Sequence, residues 1–259
     1  MKKSIGIIPA RYASTRFPGK PLVDIAGKSM IQRVYEQVIL SNLDKVIVAT
    51  DDARIYKAVQ YFGGNVVPTG PHENGTARCI EAFLKETETY DILVNIQGDE
   101  PFIAPEQINA ALSAFDLADT QIATLAKQIH RLEELLNPNV VKVVFSNPIA
   151  TDLYNALYFS RSPIPFVRDL PQEAWLTEAP FYKHIGLYAF SRSFLLETYP
   201  NLVAGTLEDI EKLEQLSWLE QNLTIRILKT TYETPNIDTP ADLETALRWM
   251  KKEENLAKK

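Results

Sequence analysis

The stretch ILVNIQ, Ile92–Gln97, decides the fold class. A short run this apolar predicts a strand that is buried on both faces, which is typical of parallel sheets. Similar runs lie earlier in the chain at Ser4–Ile8, Lys45–Thr50 and residues 65–69, with helical patterns between them. Four strands that alternate with helices over roughly 115 residues predict a parallel sheet with helices on both faces.

The second half of the chain is more mixed. Strands are predicted at residues 140–146, 156–166, 186–191 and 224–230, one amphipathic helix at 206–222, and a final helix at 239–252 that begins near Pro240. No Gly/Ser linker separates the halves. The sequence therefore predicts a Rossmann-like α/β fold in one domain over residues 1–259, with a smaller mixed subregion at about 130–190.

Composition excludes several classes of protein. The 259 residues are 46% hydrophobic and 23% charged, which excludes wholesale disorder. The one cysteine, Cys79, excludes a disulfide framework and a cysteine zinc cluster, and fits a cytoplasmic location. The net charge of −6 argues against nucleic-acid and membrane-surface partners, and no apolar run is long enough to cross a bilayer.

The loop after the first strand reads PARYASTRFPGKP, residues 9–21, and it is basic. Arg11, Arg16 and Lys20 alternate with small residues, and no acidic residue interrupts them. Small residues let backbone amides approach phosphates, while fixed cations neutralise them. The loop is neither a Walker A loop nor a dinucleotide fingerprint. It lies where ligands bind in parallel sheets, so a phosphate site is favoured over a solvated basic loop.

The stretch IIPARYASTRFPGKPL resembles the N-terminal signature of sugar nucleotidyltransferases, and specifically the 3-deoxy-manno-octulosonate (Kdo) cytidylyltransferase branch. The resemblance continues in family order through VATDD (Val48–Asp52), VNIQGDEPFI (Val94–Ile103), ALYFSRSPIPF (Ala156–Phe166), YKHIGLYAF (Tyr182–Phe190), LEDIEKLEQL (Leu207–Leu216) and IDTPADLE (Ile237–Glu244). It implies a three-layer α/β/α nucleotidyltransferase fold. It also implies transfer of CMP from CTP to Kdo, a step towards lipopolysaccharide, and a homodimer formed through the 130–190 subregion.

The resemblance implies a set of nucleotide-binding residues around the basic loop. They are Ala10, Arg11, Ser14, Thr15, Arg16, Lys20, Arg78 and Gln97. Arg11 and Lys20 are expected to act catalytically by neutralising the triphosphate, since preorganised electrostatics dominate this type of transfer.

Asp99 and Asp238 are the carboxylates that the resemblance pairs around Mg²⁺. Mg²⁺ usually takes one or two protein carboxylates together with phosphates and waters. Asp99 follows the strand predicted at Ile92–Gln97, and Asp238 follows the last predicted strand. Without the resemblance, Asp238 would be interpreted as a cap and Asp99 as a turn residue. With it, metal-assisted attack of a sugar hydroxyl on the α-phosphorus is expected.

Sugar-acid contacts are expected from the second half of the chain and from Arg78. The candidates are Arg78, Arg161, His184, Tyr188, Glu211 and Gln215. An arginine fork suits a carboxylate, and His184 and Tyr188 share one strand face. Glu211 and Gln215 are expected on one helix face, where they could read hydroxyls.

One motif departs from the family pattern S-G-T-[DE]-R. Here Asn74 replaces the serine and Ala77 replaces the acid. The change leaves the exact sugar open: Kdo, an amino-substituted analogue or a nonulosonic acid. A catalytically silent nucleotide-binding module on the same fold is the alternative outside enzymes.

Overall fold

A computed structural model of the chain describes residues 2–13, 17–72, 74–232, 234–235 and 237–257, without the side chains of 251–257. The chain divides into two compact units. One combines Met1–Asn109 with Glu233–Lys259, and the other is Ala110–Tyr232. The expectation of one domain with a subregion at about 130–190 stays a prediction. In the part of the chain described above, no helix combines the length and the apolar character needed to span a membrane.

The first unit contains a four-stranded parallel sheet. Its elements are β1 (Ser4–Ala10), β2 (Asp24–Ile25), β3 (Lys28–Ser29), α1 (Met30–Val38), β4 (Lys45–Thr50), α2 (Ala53–Tyr61), β5 (Val66–Pro68), α3 (Gly75–Lys85), β6 (Ile92–Asn95) and α4 (Pro105–Ser113). The strand order is β5-β4-β1-β6, and every pairing in it is parallel. The predicted parallel sheet of the first half is confirmed.

Side-chain caps begin the helices that follow these strands. Ser29 accepts a hydrogen bond from the backbone N–H of Gln32 at α1, and Asp52 accepts from Arg54 and Ile55 at α2. The side-chain hydrogen bond from Arg54 outweighs burial and lowers the pKa of Asp52 to about 2. Because the strands are parallel, their carboxyl ends lie at one edge of the sheet, where ligands bind in such folds.

The second unit contains a five-stranded mixed sheet. Its elements are β7 (Ile122–Ile129), α5 (Leu132–Leu136), β8 (Lys142–Phe145), β9 (Leu153–Ser160), α6 (Trp175–Glu178), β10 (Phe181–Ser191), α7 (Thr206–Glu211), α8 (Glu214–Glu220) and β11 (Ile225–Lys229). The order is β10-β7-β11-β9-β8. β7 and β11 are parallel, and the other neighbours are antiparallel. β7 was not among the predicted strands.

The predicted single helix over residues 206–222 is wrong. The chain leaves α7 at Lys212, which has a left-handed φ of 54°, and starts α8 at Glu214. Lysine rarely adopts this conformation, so neighbouring contacts must stabilise it. Glu211 and Gln215 consequently belong to different helices and do not share one helix face.

The chain returns to the first unit in its last helix, α9 (Pro240–Ala257). The hydroxyl and the backbone N–H of Thr239 donate to Asp242 Oδ2, and the N–H of Asp242 donates back to Thr239. This is a reciprocal cap with Pro240 in the first turn. It confirms the predicted start of the helix and fixes the segment that carries Asp238.

Candidate active site

One cavity opens at the carboxyl edge of the parallel sheet in the first unit. Its described wall consists of Pro9, Ala10, Arg11, Lys20, Pro21, His72, Asn74, Gly75, Arg78, Gln97, Gly98, Asp99 and Asp238. The structure thus brings together every described residue of the first unit that the sequence proposed for nucleotide or metal binding. Ser14, Thr15 and Arg16 lie outside the described residues.

A lysine between two carboxylates forms the polar centre of this wall. Lys20 Nζ donates to Asp99 Oδ2 at 2.7 Å and to Asp238 Oδ1 at 3.1 Å. The side chain of Lys20 is 14% exposed, so solvent screens these ion pairs less than it screens surface pairs. Because both oxygens lie within 3.1 Å of one atom, a single cation can contact both carboxylates.

Backbone contacts hold Asp99 and Asp238 side by side. The N–H of Ile237 donates to the carbonyl of Asp99 at 3.0 Å, and the N–H of Asp238 donates to Asp242 Oδ2 at 3.1 Å. A Cβ at Gly98 would lie 2.9 Å from the carbonyl oxygen of Pro9, so only glycine permits this approach to the end of β1. The two carboxylates are therefore fixed by the backbone as well as by Lys20.

The turn before Lys20 is built on Gly19, whose φ is 72°. The N–H of Gly19 donates to the carbonyl of Tyr12 at 3.0 Å, and a Cβ at this position would press on the Tyr12 ring. The guanidinium of Arg54 also contacts this ring and lies 3.2 Å from its centre. The Tyr12 ring thus packs the basic loop against the first turn of α2.

Arg78 is buried and already has partners. Its guanidinium pairs with Asp51 Oδ2 at 3.1 Å and donates to Thr69 Oγ1 at 2.7 Å. Arg11, in contrast, is exposed on the same cavity wall. The geometry gives Arg78 a fixed position and a partly neutralised charge, and leaves Arg11 accessible to an anionic ligand.

His72 is a wall residue that the sequence analysis missed. Its Nε2 is paired with Glu81, which also accepts from Lys85 and from the N–H of Gly70. The hydrogen bonds from Lys85 and His72 lower the pKa of Glu81 to about 2. The position of His72 just after β5, at the same sheet edge as the other wall residues, was the available signal.

The second unit holds an aromatic and polar cluster around His184 and Tyr188. Their ring centres lie 5.2 Å apart, and His184 Nε2 lies 2.9 Å from the hydroxyl of Thr124, another residue not predicted. Burial lowers the pKa of His184 to about 3, so the ring is neutral at pH 7. Within the described part of the chain, the buried Tyr188 hydroxyl has no hydrogen-bond partner.

Arg161 and Glu211 contact each other in the same unit. Glu211 accepts from Ser160 Oγ at 2.7 Å and from the N–H of Arg161 at 2.8 Å, and Arg161 Nε donates to the carbonyl of Glu211 at 2.6 Å. Lys142, also missed, is fully buried and donates to the carbonyls of Asn137 and Val140. Burial lowers the pKa of Lys142 despite the charge of Glu211. Arg161 therefore stabilises the end of α7 as well as being a candidate for the sugar carboxylate.

The chain matches the cytidylyltransferase family model over residues 5–227. It is 53% identical over 255 residues to the 3-deoxy-manno-octulosonate cytidylyltransferase of Parabacteroides distasonis, covering 96% of this chain and 99% of that one. The chain belongs to the 3-deoxy-manno-octulosonate cytidylyltransferase family. The relative from Bacteroides thetaiotaomicron is 51% identical over 96% of this chain and 98% of its own length.

One solved structure supports the same family, and a second supports the fold. A CMP:2-keto-3-deoxy-manno-octonic acid synthetase solved in complex with CTP superposes with a TM-score of 0.87 at 41% identity, covering 97% of this chain and 99% of that one. The 4-diphosphocytidyl-2C-methyl-D-erythritol synthase of Anaerococcus prevotii gives 0.61 at 13% identity over 96% and 99%, and shares the fold alone. The expected α/β nucleotidyltransferase fold is confirmed.

The residues present fit the divalent metal expected for a cytidylyltransferase. In the described part of the chain, no three or more histidine, cysteine, aspartate or glutamate side chains form a metal cluster. Mg²⁺ needs no such cluster, because one or two carboxylates suffice when phosphates and waters supply the remaining ligands. Asp99 and Asp238 meet this requirement, and Lys20 Nζ occupies the position of a cation between them.

The family departure at Asn74 has a structural explanation. Asn74 caps α3, and its side chain accepts from the N–H of Ala77 at 2.8 Å. Serine and asparagine serve equally well at this position, so the cap survives the exchange. An acid at position 77 would complete a reciprocal capping box, and Ala77 removes that half.

We predict that Asn74→Ala lowers the free energy of unfolding by about 1 kcal/mol through loss of the cap, and that Asn74→Ser leaves it nearly unchanged. Urea unfolding of the three proteins measures the difference. Equal destabilisation by alanine and serine would contradict the capping role of Asn74.

Proposed function

We propose that this chain transfers CMP from CTP to 3-deoxy-manno-octulosonate and releases pyrophosphate, which activates the sugar for lipopolysaccharide synthesis. A sugar oxygen attacks the α-phosphorus, the bond to the β-phosphate oxygen breaks, and pyrophosphate leaves with that electron pair. The hydroxyl proton passes to solvent or base. The observation that carries the proposal is the pair of carboxylates that Lys20 holds in a basic cavity. The chain that carries them is 53% identical in sequence to a 3-deoxy-manno-octulosonate cytidylyltransferase.

Arg11 and Lys20 are proposed to neutralise the triphosphate and the charge that develops on the leaving pyrophosphate. Arg11 is exposed on the cavity wall, and Lys20 carries a flexible side chain. Ala10 and Gln97, also on the wall, are proposed to contact the nucleotide, together with Arg78 and the loop residues Ser14, Thr15 and Arg16.

Asp99 and Asp238 are proposed to hold Mg²⁺. When bound, Mg²⁺ would lower the pKa of the attacking sugar hydroxyl and neutralise phosphate charge. The two aspartates contribute a pair of negative charges at a fixed position, so they need no rearrangement of the backbone to bind a cation.

The sugar acid is proposed to contact His184, Tyr188, Gln215, Arg161 and Glu211. The unsatisfied Tyr188 hydroxyl supports this assignment, because a buried hydroxyl without a partner costs free energy that a sugar hydroxyl would recover. Gln215 is buried in α8, and Trp218 of the same helix contacts the Tyr188 ring. The neutral ring of His184 can donate a hydrogen bond from one nitrogen and accept one at the other, so it can bind hydroxyl groups.

The proposal includes a homodimer and a cytoplasmic location. Exposed apolar side chains within the predicted dimerisation subregion at about 130–190, such as Leu157 and Phe166, support self-association. The single cysteine, Cys79, is buried and is not part of a disulfide, which suits a reducing compartment.

The exact sugar is tested by pyrophosphate release from CTP or UTP with a panel of sugar acids. We expect the highest kcat/KM for CTP with Kdo. A preference for amino-substituted Kdo or a nonulosonic acid would change the proposed substrate but not the proposed type of reaction. Tight CTP binding without pyrophosphate release from any acceptor would favour a silent nucleotide-binding module.

We predict that Asp99→Asn lowers kcat at saturating Mg²⁺ by about 100-fold or more, because one of two carboxylates for the metal loses its charge. The exposed Asp116, which does not line the cavity, provides the control variant Asp116→Asn with unchanged kcat. Circular dichroism verifies the fold of both. Near-normal turnover of Asp99→Asn would remove Asp99 from the metal site.

We predict that Tyr188→Phe raises the KM for the sugar acid by about tenfold and leaves the Kd for CTP unchanged. Thermal stability should stay the same or rise, since the substitution removes an unsatisfied buried hydroxyl. Steady-state kinetics and a melting curve measure the two effects. An unchanged KM for the sugar acid would exclude Tyr188 from the sugar site.

A further inference from the structure

Lys20 places its ammonium group between two carboxylates. Its Nζ lies 2.7 Å from Asp99 Oδ2 and 3.1 Å from Asp238 Oδ1, the two carboxylates proposed to hold Mg²⁺. Without a cation, these two side chains would repel each other in a partly buried wall, where the like-charge cost is higher than in water. Lys20 therefore stabilises the carboxylate pair in the absence of ligands.

The ammonium group and a metal ion exclude each other from this position. Both are cations, and Mg²⁺ binds carboxylate oxygens at about 2.0–2.1 Å, which leaves no room for Nζ between them. Lys20 must therefore leave when a metal takes the same two oxygens, Asp99 Oδ2 and Asp238 Oδ1. Its charge then needs another anionic partner, and the cavity is proposed to receive a triphosphate.

The geometry of the turn permits this exchange without movement of the backbone. The N–H of Lys20 donates to the carbonyl of Phe17 at 3.2 Å, and the carbonyl of Lys20 accepts from Val23 at 3.1 Å. These bonds anchor the main chain on both sides. The four-carbon side chain can rotate about its own bonds, so Nζ can leave the carboxylates while Cα stays in place.

We propose that Lys20 is an exchangeable counter-ion of the metal site. Before ligands bind, it holds Asp99 and Asp238 together and competes with the metal. When CTP binds, the ammonium group pairs with the triphosphate instead, and the carboxylates become available to Mg²⁺. Metal and nucleotide consequently bind cooperatively, and by linkage each raises the affinity for the other by the same factor. This inference rests on the proposed function.

The experiment measures Mn²⁺ binding to the wild-type protein and to Lys20→Met by calorimetry, with no nucleotide and then with a non-hydrolysable α,β-methylene CTP. We expect Lys20→Met to bind Mn²⁺ about tenfold or more tightly than wild type in the absence of nucleotide. The gain in Mn²⁺ affinity that the nucleotide causes should be smaller in the variant than in wild type.

Arg11→Met is the matched control, because it removes one positive charge from the same cavity wall. No hydrogen bond or ion pair joins Arg11 to either carboxylate in the described residues, so its effect on Mn²⁺ affinity should be clearly smaller. Equal Mn²⁺ affinity of wild type and Lys20→Met would overturn the proposal. An equal increase in Mn²⁺ affinity in Lys20→Met and Arg11→Met would also overturn it, since that result would reflect the loss of overall positive charge.

Thermal unfolding gives a second readout. Without ligands, Lys20→Met should melt at a lower temperature than wild type, and Mn²⁺ should raise its melting temperature more. Lys20→Gln replaces it if the methionine variant does not fold. Pyrophosphate release by the wild-type preparation separates the two hypotheses: its absence would reject the proposed function, while the Mn²⁺ affinities still decide the role of Lys20.

Discussion

The contact of one ammonium group with two carboxylates is the constraint on which the first unit depends. Lys20, Asp99 and Asp238 come from three separate segments: the loop after β1, the turn after β6, and the residue before the cap of α9. They can meet only because β1 and β6 are parallel neighbours and end at the same edge. The parallel pairing of β1 and β6 is therefore required to bring the charged side chains of the cavity together.

Other charged groups around the two proposed ligand sites are also paired before any ligand binds. Arg78 is held by Asp51, His72 by Glu81, and Glu211 by the backbone and hydroxyl groups of β9 and its exit. Such pairing fixes side chains in advance, so less ordering is needed when substrates bind. Lys20 differs because its partners, Asp99 and Asp238, are the carboxylates proposed to hold the metal.

Local patterns predicted the first unit well. The strands of its parallel sheet are apolar runs between clear turn residues, and most candidates on the cavity wall lie at or after the carboxyl ends of these strands. Such patterns could not predict the pairing of Arg78 with Asp51, because the first turn of α3 and the turn after β4 come together only in the folded chain.

The second unit was harder to predict, for physical reasons that differ from element to element. β7 contains Lys127 and Gln128, so its apolar pattern weakens towards its end. At Lys212 the sequence continues a good helical pattern with no glycine or proline, and the break depends on contacts made elsewhere in the fold. The guanidinium of Arg161 bonds to the carbonyls of Glu211 and Lys212, which are distant in sequence. Tertiary contacts there outweigh local helix propensity.

The discontinuity of the first unit has a consequence for synthesis on the ribosome. The second unit, Ala110–Tyr232, is complete in sequence before Asp238 is translated. Until then a nascent chain carries Lys20 and Asp99 but only one of the two carboxylates proposed to hold the metal. A chain released early therefore lacks half of the proposed metal site, and the order of translation delays assembly of the cavity wall until Asp238 has been synthesised.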